Sequence, residues 1–172
     1  FIETMLFESG IIPRRGSVEA HNTISDFTDL ERERENTIYS HLMHAKWHNN
    51  KINIIDTPGF DDFIGEVVSS LKVSDTALIL LNAASGVEVG TEIVWEYVQD
   101  YQTPALFVIN QMDHPKADYD NTLEQAKNRF GNKVIPIQYP YNSGEKFNSI
   151  IDVLRMTMYV FPENGGKPEK MP

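Results

Sequence analysis

Residues 51–59 read KINIIDTPG, and the fold is decided by how this stretch ends. A short aliphatic run, residues 51–55, stops at Asp56 and gives way to Thr57, Pro58 and Gly59, where regular structure breaks. Three more short aliphatic runs, residues 76–81, 105–109 and 133–137, have the character of strands buried on both faces. Between them the apolar residues recur every three to four positions. Residues 62–73 carry Phe63, Val67 and Leu71, and residues 91–101 carry Val94, Trp95 and Val98. A third stripe is Tyr119, Leu123, Ala126 and Phe130, and a fourth is Phe147, Ile150, Ile151, Leu154 and Met158. Each predicts a helix whose stripe packs against a sheet. Strands alternating with helices predict an α/β fold, a mostly parallel sheet covered on both faces. Residues 37–47 mix polar and apolar positions and lead through His48, Asn49 and Asn50 into residues 51–55, so this pair is expected to form one antiparallel hairpin.

The chain has 172 residues, 41% of them hydrophobic and 10% aromatic, enough for one core without staples. Residues 1–160 are expected to form one domain, and residues 161–172, dense in Pro and Gly, a linker or the start of an insertion. Residues 1–7, with Ile2, Met5 and Leu6 at helical spacing, open in what reads as the middle of a helix, so further residues are expected ahead of Phe1. There is no cysteine, which excludes a disulfide framework, a thiolate metal site and a cysteine nucleophile. A net charge of −10 gives the whole chain no attraction to phosphate backbones or anionic lipid, so neither DNA nor a membrane is expected as a partner. No apolar run approaches the ~20 residues of a membrane helix, and a monomer in the cytoplasm is expected.

Three strand candidates end on a polar residue: Asp56, Asn82 and Asn110. In open α/β sheets the ligand crevice lies at the carboxyl ends of the strands, so these residues mark one rim. Asp and Asn also begin ordinary turns, and each taken alone stays open to that explanation. Asp56-Thr57-Pro58-Gly59 suits a metal-bound phosphate: the carboxylate holds Mg²⁺ and the small Gly59 lets its amide approach the terminal phosphate. Asn110-Gln111-Met112-Asp113 suits guanine, whose adjacent ring N–H and exocyclic amine match the two oxygens of Asp113, a donor pair adenine lacks. A capped turn leading to a helix near Asp118 is the plain alternative there.

The stretches ERERENTI (31–38), DTPGFDDF (56–63, preceded by INII) and NQMD (110–113) together resemble the GTP-binding domain of translational GTPases of the elongation factor G type, over essentially the whole chain. Ribosomal protection proteins that confer tetracycline resistance, and peptide chain release factor three, are similar. The resemblance implies a three-layer G domain of the P-loop NTPase type, GTP or GDP with Mg²⁺ as ligands, and the ribosome, its RNA and proteins, as partner in translocation. It also implies that Thr37 and Asp56 hold Mg²⁺, that Gly59 senses the γ-phosphate, and that Asn110 and Asp113 read guanine. Arg32, Glu33 and Arg34 then lie in a first switch region ordered by the γ-phosphate; without the resemblance they read as a solvated charged face.

The chain departs from that family at three places. It contains no G-x-x-x-x-G-K-[S/T] phosphate loop, which the family carries just ahead of the helix at residues 1–7, and tight nucleotide binding is not expected without that loop. Phe60 stands where the family has the His that helps place the attacking water, so hydrolysis is expected to be impaired. Gln111 replaces a Lys and Glu35 a Gly. A zinc site at His41, His44 and His48 is disfavoured: the first two fall on opposite faces of a strand and no acid or Cys completes the set. No nucleophile elbow surrounds Ser143, and the acidic pair and Lys that a phosphate-accepting Asp56 in a receiver-like or flavodoxin-like domain would need are not evident.

Overall fold

The computed structural model describes every residue except 19, 26, 163–166 and 172. The chain divides into two compact units, Phe1–Asp75 and Thr76–Pro172.

The first unit starts with helix α1 (Ile2–Glu8), which buries Leu6. Glu3 on this helix fastens the loop that follows, accepting from the amides of Gly16 at 2.8 Å and Ile24 at 2.5 Å. Helix α2 (Asp29–Arg34) begins at Thr28, whose hydroxyl accepts from the Glu31 amide while the Glu31 carboxylate accepts from the Thr28 amide. That reciprocal pair satisfies two amides that the first turn of a helix leaves without partners. Strands β1 (His41–Trp47) and β2 (Asn50–Asp56) form the expected antiparallel hairpin, with His41 opposite Asp56 and Trp47 opposite Asn50. His48 reverses the chain in a left-handed conformation, φ 50°. A short 3-10 turn, Asp61–Phe63, leads into α3 (Ile64–Leu71), which buries Val67, Ser70 and Leu71. The helix predicted at 62–73 is therefore shorter at both ends, and Phe63 lies in the turn ahead of it.

In the second unit, strand β3 (Ala77–Asn82), helix α4 (Val89–Asp100), strand β4 (Ala105–Asn110) and helix α5 (Tyr119–Phe130) follow the expected α/β order. The two strands pair in parallel, from Ala77 opposite Ala105 to Asn82 opposite Asn110. Ala77, Ile79 and Leu81 are buried, whereas Leu78 and Leu80 are nearly half exposed, so β3 is covered more on one face than the other. The core of this unit includes a three-ring cluster. Phe107 stacks on Phe130 at 4.8 Å with 6° between the planes, and Trp95 lies 5.4 and 5.0 Å from them.

The end of the chain corrects three expectations. Residues 133–137 form no strand; the ladder begins beyond them at β5 (Gln138–Pro140) and runs antiparallel to β6 (Ser149–Asp152). Pro136 within that run has no amide to give a ladder. The stripe of Phe147, Ile150, Ile151, Leu154 and Met158 is no helix but the hairpin of β6 and β7 (Thr157–Val160). Asp152 starts the reversal, accepting from the amides of Leu154 and Arg155 at 3.0 Å each, and Met156 ends it at φ 50°. Residues on two strands plus a turn happened to fall at helical spacing, and the Asx turn at Asp152 decided against the helix. Glu169–Met171, expected as loop, forms β8 and completes a four-stranded antiparallel sheet in the order β5-β6-β7-β8. Among the described residues no helix is long and apolar enough to cross a membrane.

Asp152→Ala removes the acceptor for two turn amides and is expected to lower unfolding free energy by about 1 kcal/mol. Denaturant unfolding checks the value, and faster hydrogen exchange at Leu154 and Arg155 would locate the effect at the hairpin turn.

Candidate functional site

In the first unit the geometry is organised by a carboxylate that the sequence reading passed over. Glu31 has no exposed surface. Its Oε2 accepts from the Thr28 hydroxyl at 2.6 Å, and its Oε1 accepts from the amides of Ile38 at 3.0 Å and Tyr39 at 3.2 Å and lies 2.8 Å from His41 Nε2. Burial pushes the carboxyl up, but the bonds from Thr28, from the Ile38 and Tyr39 amides and from His41 outweigh it and hold it at about 2. The phrase Thr28-x-x-Glu31 carries the signal for the helix start, a capping box, within a stretch of alternating charge. Glu35 then closes α2 in the left-handed region, φ 55° and ψ 30°. Such a position favours glycine, which accounts for the residue the resemblance puts there.

Thr37, half-buried, lies in the segment between α2 and β1. The register that sets His41 opposite Asp56 brings the start of β1 beside the end of β2, so Thr37 and Asp56 flank the same end of one hairpin. Thr57 is half-buried, Pro58 buried and Gly59 exposed. A Cβ placed on Gly59 would meet nothing within 4 Å, and its φ is not left-handed, so neither packing nor backbone conformation demands glycine there. Phe60 is 56% exposed in an extended conformation at the head of the 3-10 turn. Beyond it, Glu66 on α3 accepts from the Ser40 amide at 2.9 Å, and the hydroxyl and amide of Ser40 hold its carboxyl below the usual range.

The second unit presents the other group of predicted residues at the carboxyl ends of its parallel strands. Asn82 and Asn110 are opposite one another in the ladder. Asn82 Oδ1 accepts from the Ala84 amide at 2.8 Å, and its Nδ2 donates to Gln111 Oε1 at 2.9 Å. Gln111 adopts φ 57°, and the Asn110 carbonyl accepts from the Ala83 amide at 3.0 Å. Met112 is buried, and its carbonyl accepts from the Gly144 amide at 2.8 Å, while Gln111 and Asp113 on either side of it are exposed. The Asp118 amide donates to the Ala83 carbonyl and the Asp118 side chain caps α5 through the Asn121 amide. The capped turn and the exposed Asp113 thus coexist: Asp118 does the capping, and the Asp113 carboxylate remains available.

Comparison with known proteins identifies the family. Residues 1–163 match the family model of the elongation factor Tu GTP binding domain. The chain belongs to that family. It is 39% identical over 168 residues to an elongation factor G of Mycoplasma pneumoniae and 32% identical over 168 residues to an elongation factor G-like protein of Thermotoga maritima. Both matches cover 98% of this chain and 24% of the relative, so the chain spans about a quarter of the length of these curated relatives. A crystal structure of a Thermus thermophilus protein superposes with a TM-score of 0.90 at 29% identity, covering 99% of this chain and 26% of that one. As a member of this GTP binding domain family the chain is α/β, and over nearly its whole length it is similar to the corresponding quarter of elongation factor G proteins.

Among the described residues no group of three or more His, Cys, Asp or Glu side chains is placed to hold a metal ion. His41 is committed to Glu31, and His48 lies in the hairpin turn, its ring 5.2 Å from that of Trp47. Thr37 and Asp56 are hard oxygen donors of the kind Mg²⁺ takes, few enough to leave most of its coordination to water and phosphate.

Glu31→Ala is expected to lower unfolding free energy by about 3 kcal/mol, since it strands two backbone amides and a histidine in a buried place. Because the folded carboxyl titrates near 2 against an ordinary 4.5, its stabilisation is complete above about pH 4.5 and is lost as pH falls towards 2. Unfolding midpoints measured from pH 6 to 2 should fall more steeply through that window in the natural protein than in Glu31→Ala.

Proposed function

We propose that this protein binds GTP and GDP with Mg²⁺ and acts on the ribosome as an elongation factor G-like factor serving translocation, its nucleotide state ordering the segments around Thr37 and Gly59. The observation that most supports guanine recognition is the placement of Asn110 and Asp113. β4 delivers them to a strand end, the burial of Met112 fixes the backbone between them, and Asp113 is left exposed. Its two oxygens match the paired N–H donors of guanine, and an analogue without that pair leaves them unsatisfied. Thr37 and Asp56, at one end of the β1–β2 hairpin, would hold the Mg²⁺, which when bound neutralises phosphate charge. Gly59 supports an amide contact to the terminal phosphate, because the space a Cβ would take is open and nothing else in the fold calls for glycine. Residues 1–160, with β8 paired onto β7, act as the nucleotide-binding part.

Phe60 favours a second reading, a nucleotide-gated ribosome-binding module that turns over slowly or not at all. Its side chain is at the surface, where a water-placing group would have to be, and it has neither donor nor acceptor.

Calorimetry on the protein at its full natural length tests the first proposal. GTP and GDP should bind in a Mg²⁺-dependent manner at least about 100-fold more tightly than ATP, and Asp113→Asn should abolish that preference. Equal binding of ATP would contradict it. Ribosome-stimulated phosphate release separates the two readings: Phe60→His is expected to raise it at least about 10-fold if that position alone is limiting, and no change would place the limit elsewhere.

A further inference from the structure

Residues 38–40 lie outside any helix or strand, yet each of their three amides is held by a carboxylate. Ile38 and Tyr39 donate to Glu31 Oε1 at 3.0 and 3.2 Å, and Ser40 donates to Glu66 Oε2 at 2.9 Å. Ser40 Oγ also lies 3.2 Å from Ser70 Oγ on α3. A connecting segment ordinarily gives its amides to water, so three consecutive side-chain acceptors amount to a built suspension. The acceptors are themselves fixed. Glu31 is fully buried and bonded to Thr28 and His41, and Glu66 belongs to the helix that follows Gly59 and Phe60.

This suspension has a direct consequence for Thr37. The Ile38 amide belongs to the peptide plane that joins Thr37 to Ile38, and that plane is rigid. Holding it against Glu31 sets ψ of Thr37, and the side-chain rotamer then fixes the direction of the hydroxyl. Two residues further on, the Ser40 amide ties the same segment to α3, so the placement of Thr37 depends on the helix attached to the Asp56–Gly59 stretch.

We infer that Glu31 and Glu66 are positioning residues that hold the Thr37 hydroxyl ready for the GTP-bound state and join that placement to the position of α3. The inference rests on Thr37 serving as the Mg²⁺-side ligand described above. Neither carboxylate touches nucleotide; both act on the backbone next to the residue that does. Their loss should therefore affect GTP more than GDP, since only the state with the γ-phosphate draws on an ordered Thr37.

The test compares the natural protein with Glu31→Gln and Glu66→Gln, all at full natural length. Affinities for GDP and for a non-hydrolysable GTP analogue are measured across a range of Mg²⁺ concentrations, with hydrogen exchange at the amides of residues 38–40. Each variant is expected to keep GDP affinity within about twofold and to lose about 10-fold for the GTP analogue, with more Mg²⁺ needed for half-saturation. Protection should fall at Ile38 and Tyr39 in Glu31→Gln and at Ser40 in Glu66→Gln. Equal losses for GDP and the GTP analogue would make the carboxylates merely structural and overturn the inference, as would an unchanged GTP preference with the amides unprotected. If Glu31→Gln fails to fold, Glu66→Gln, on a half-buried residue, decides it alone. A natural protein whose GTP-analogue binding ignores Mg²⁺ would instead overturn the underlying assignment of Thr37, whatever the variants do.

Discussion

A fully buried carboxylate can stay charged only when every direction of its charge is answered, and Glu31 meets that condition with a hydroxyl, three backbone amides and an imidazole. The partners come from three stretches of the first unit. Thr28 opens α2, Ile38 and Tyr39 belong to the connecting segment, and His41 opens β1. One side chain therefore joins the start of a helix to the start of a strand and fixes the path between them. His41 carries the constraint across the hairpin, because its ladder partner is Asp56. The start of β1, which pairs with the end of β2, and the segment that follows Thr37 are thus both tied to Glu31, with Glu66 holding that segment from α3.

The second unit meets a different constraint, parallel pairing in register. Because Ala77 is opposite Ala105, the two strands end together and deliver Asn82 and Asn110 side by side. The side chain of Asn82 then reaches past its neighbour to Gln111, and the left-handed turn at Gln111 directs the chain so that Met112 is buried and Asp113 exposed. Gln111 thereby has a partner within the fold in the position where the family's Lys stands, which accounts for how the substitution is accommodated.

The strand ends were legible in the sequence because aliphatic runs followed by Asp or Asn leave a period and a stop together. The hairpin of β1 and β2 and the helices α3, α4 and α5 were legible for the same reason, with boundaries shifted by a few residues. Glu31 was not, since a buried carboxylate and a solvated one look alike in a charged stretch; only its partners, up to ten positions away, distinguish them. The stripe from Phe147 to Met158 misled because spacing alone cannot separate a helix from two short strands joined at Asp152. Residues 133–137 misled through Pro136, whose missing amide outweighs the aliphatic character around it. The strand at Glu169–Met171 depends on a partner, β7, that composition cannot reveal.

The central proposal is that Asn110 and Asp113 read the guanine base and that Thr37, Asp56 and Gly59 serve Mg²⁺ and phosphate. A crystal structure of the protein at full natural length with Mg²⁺ and a non-hydrolysable GTP analogue tests it most directly. The account predicts Thr37 and Asp56 on the ion side, the Gly59 amide at the γ-phosphate and both Asp113 oxygens on the guanine edge. A nucleotide bound away from Asp113, or an ion held without Thr37 and Asp56, would contradict it.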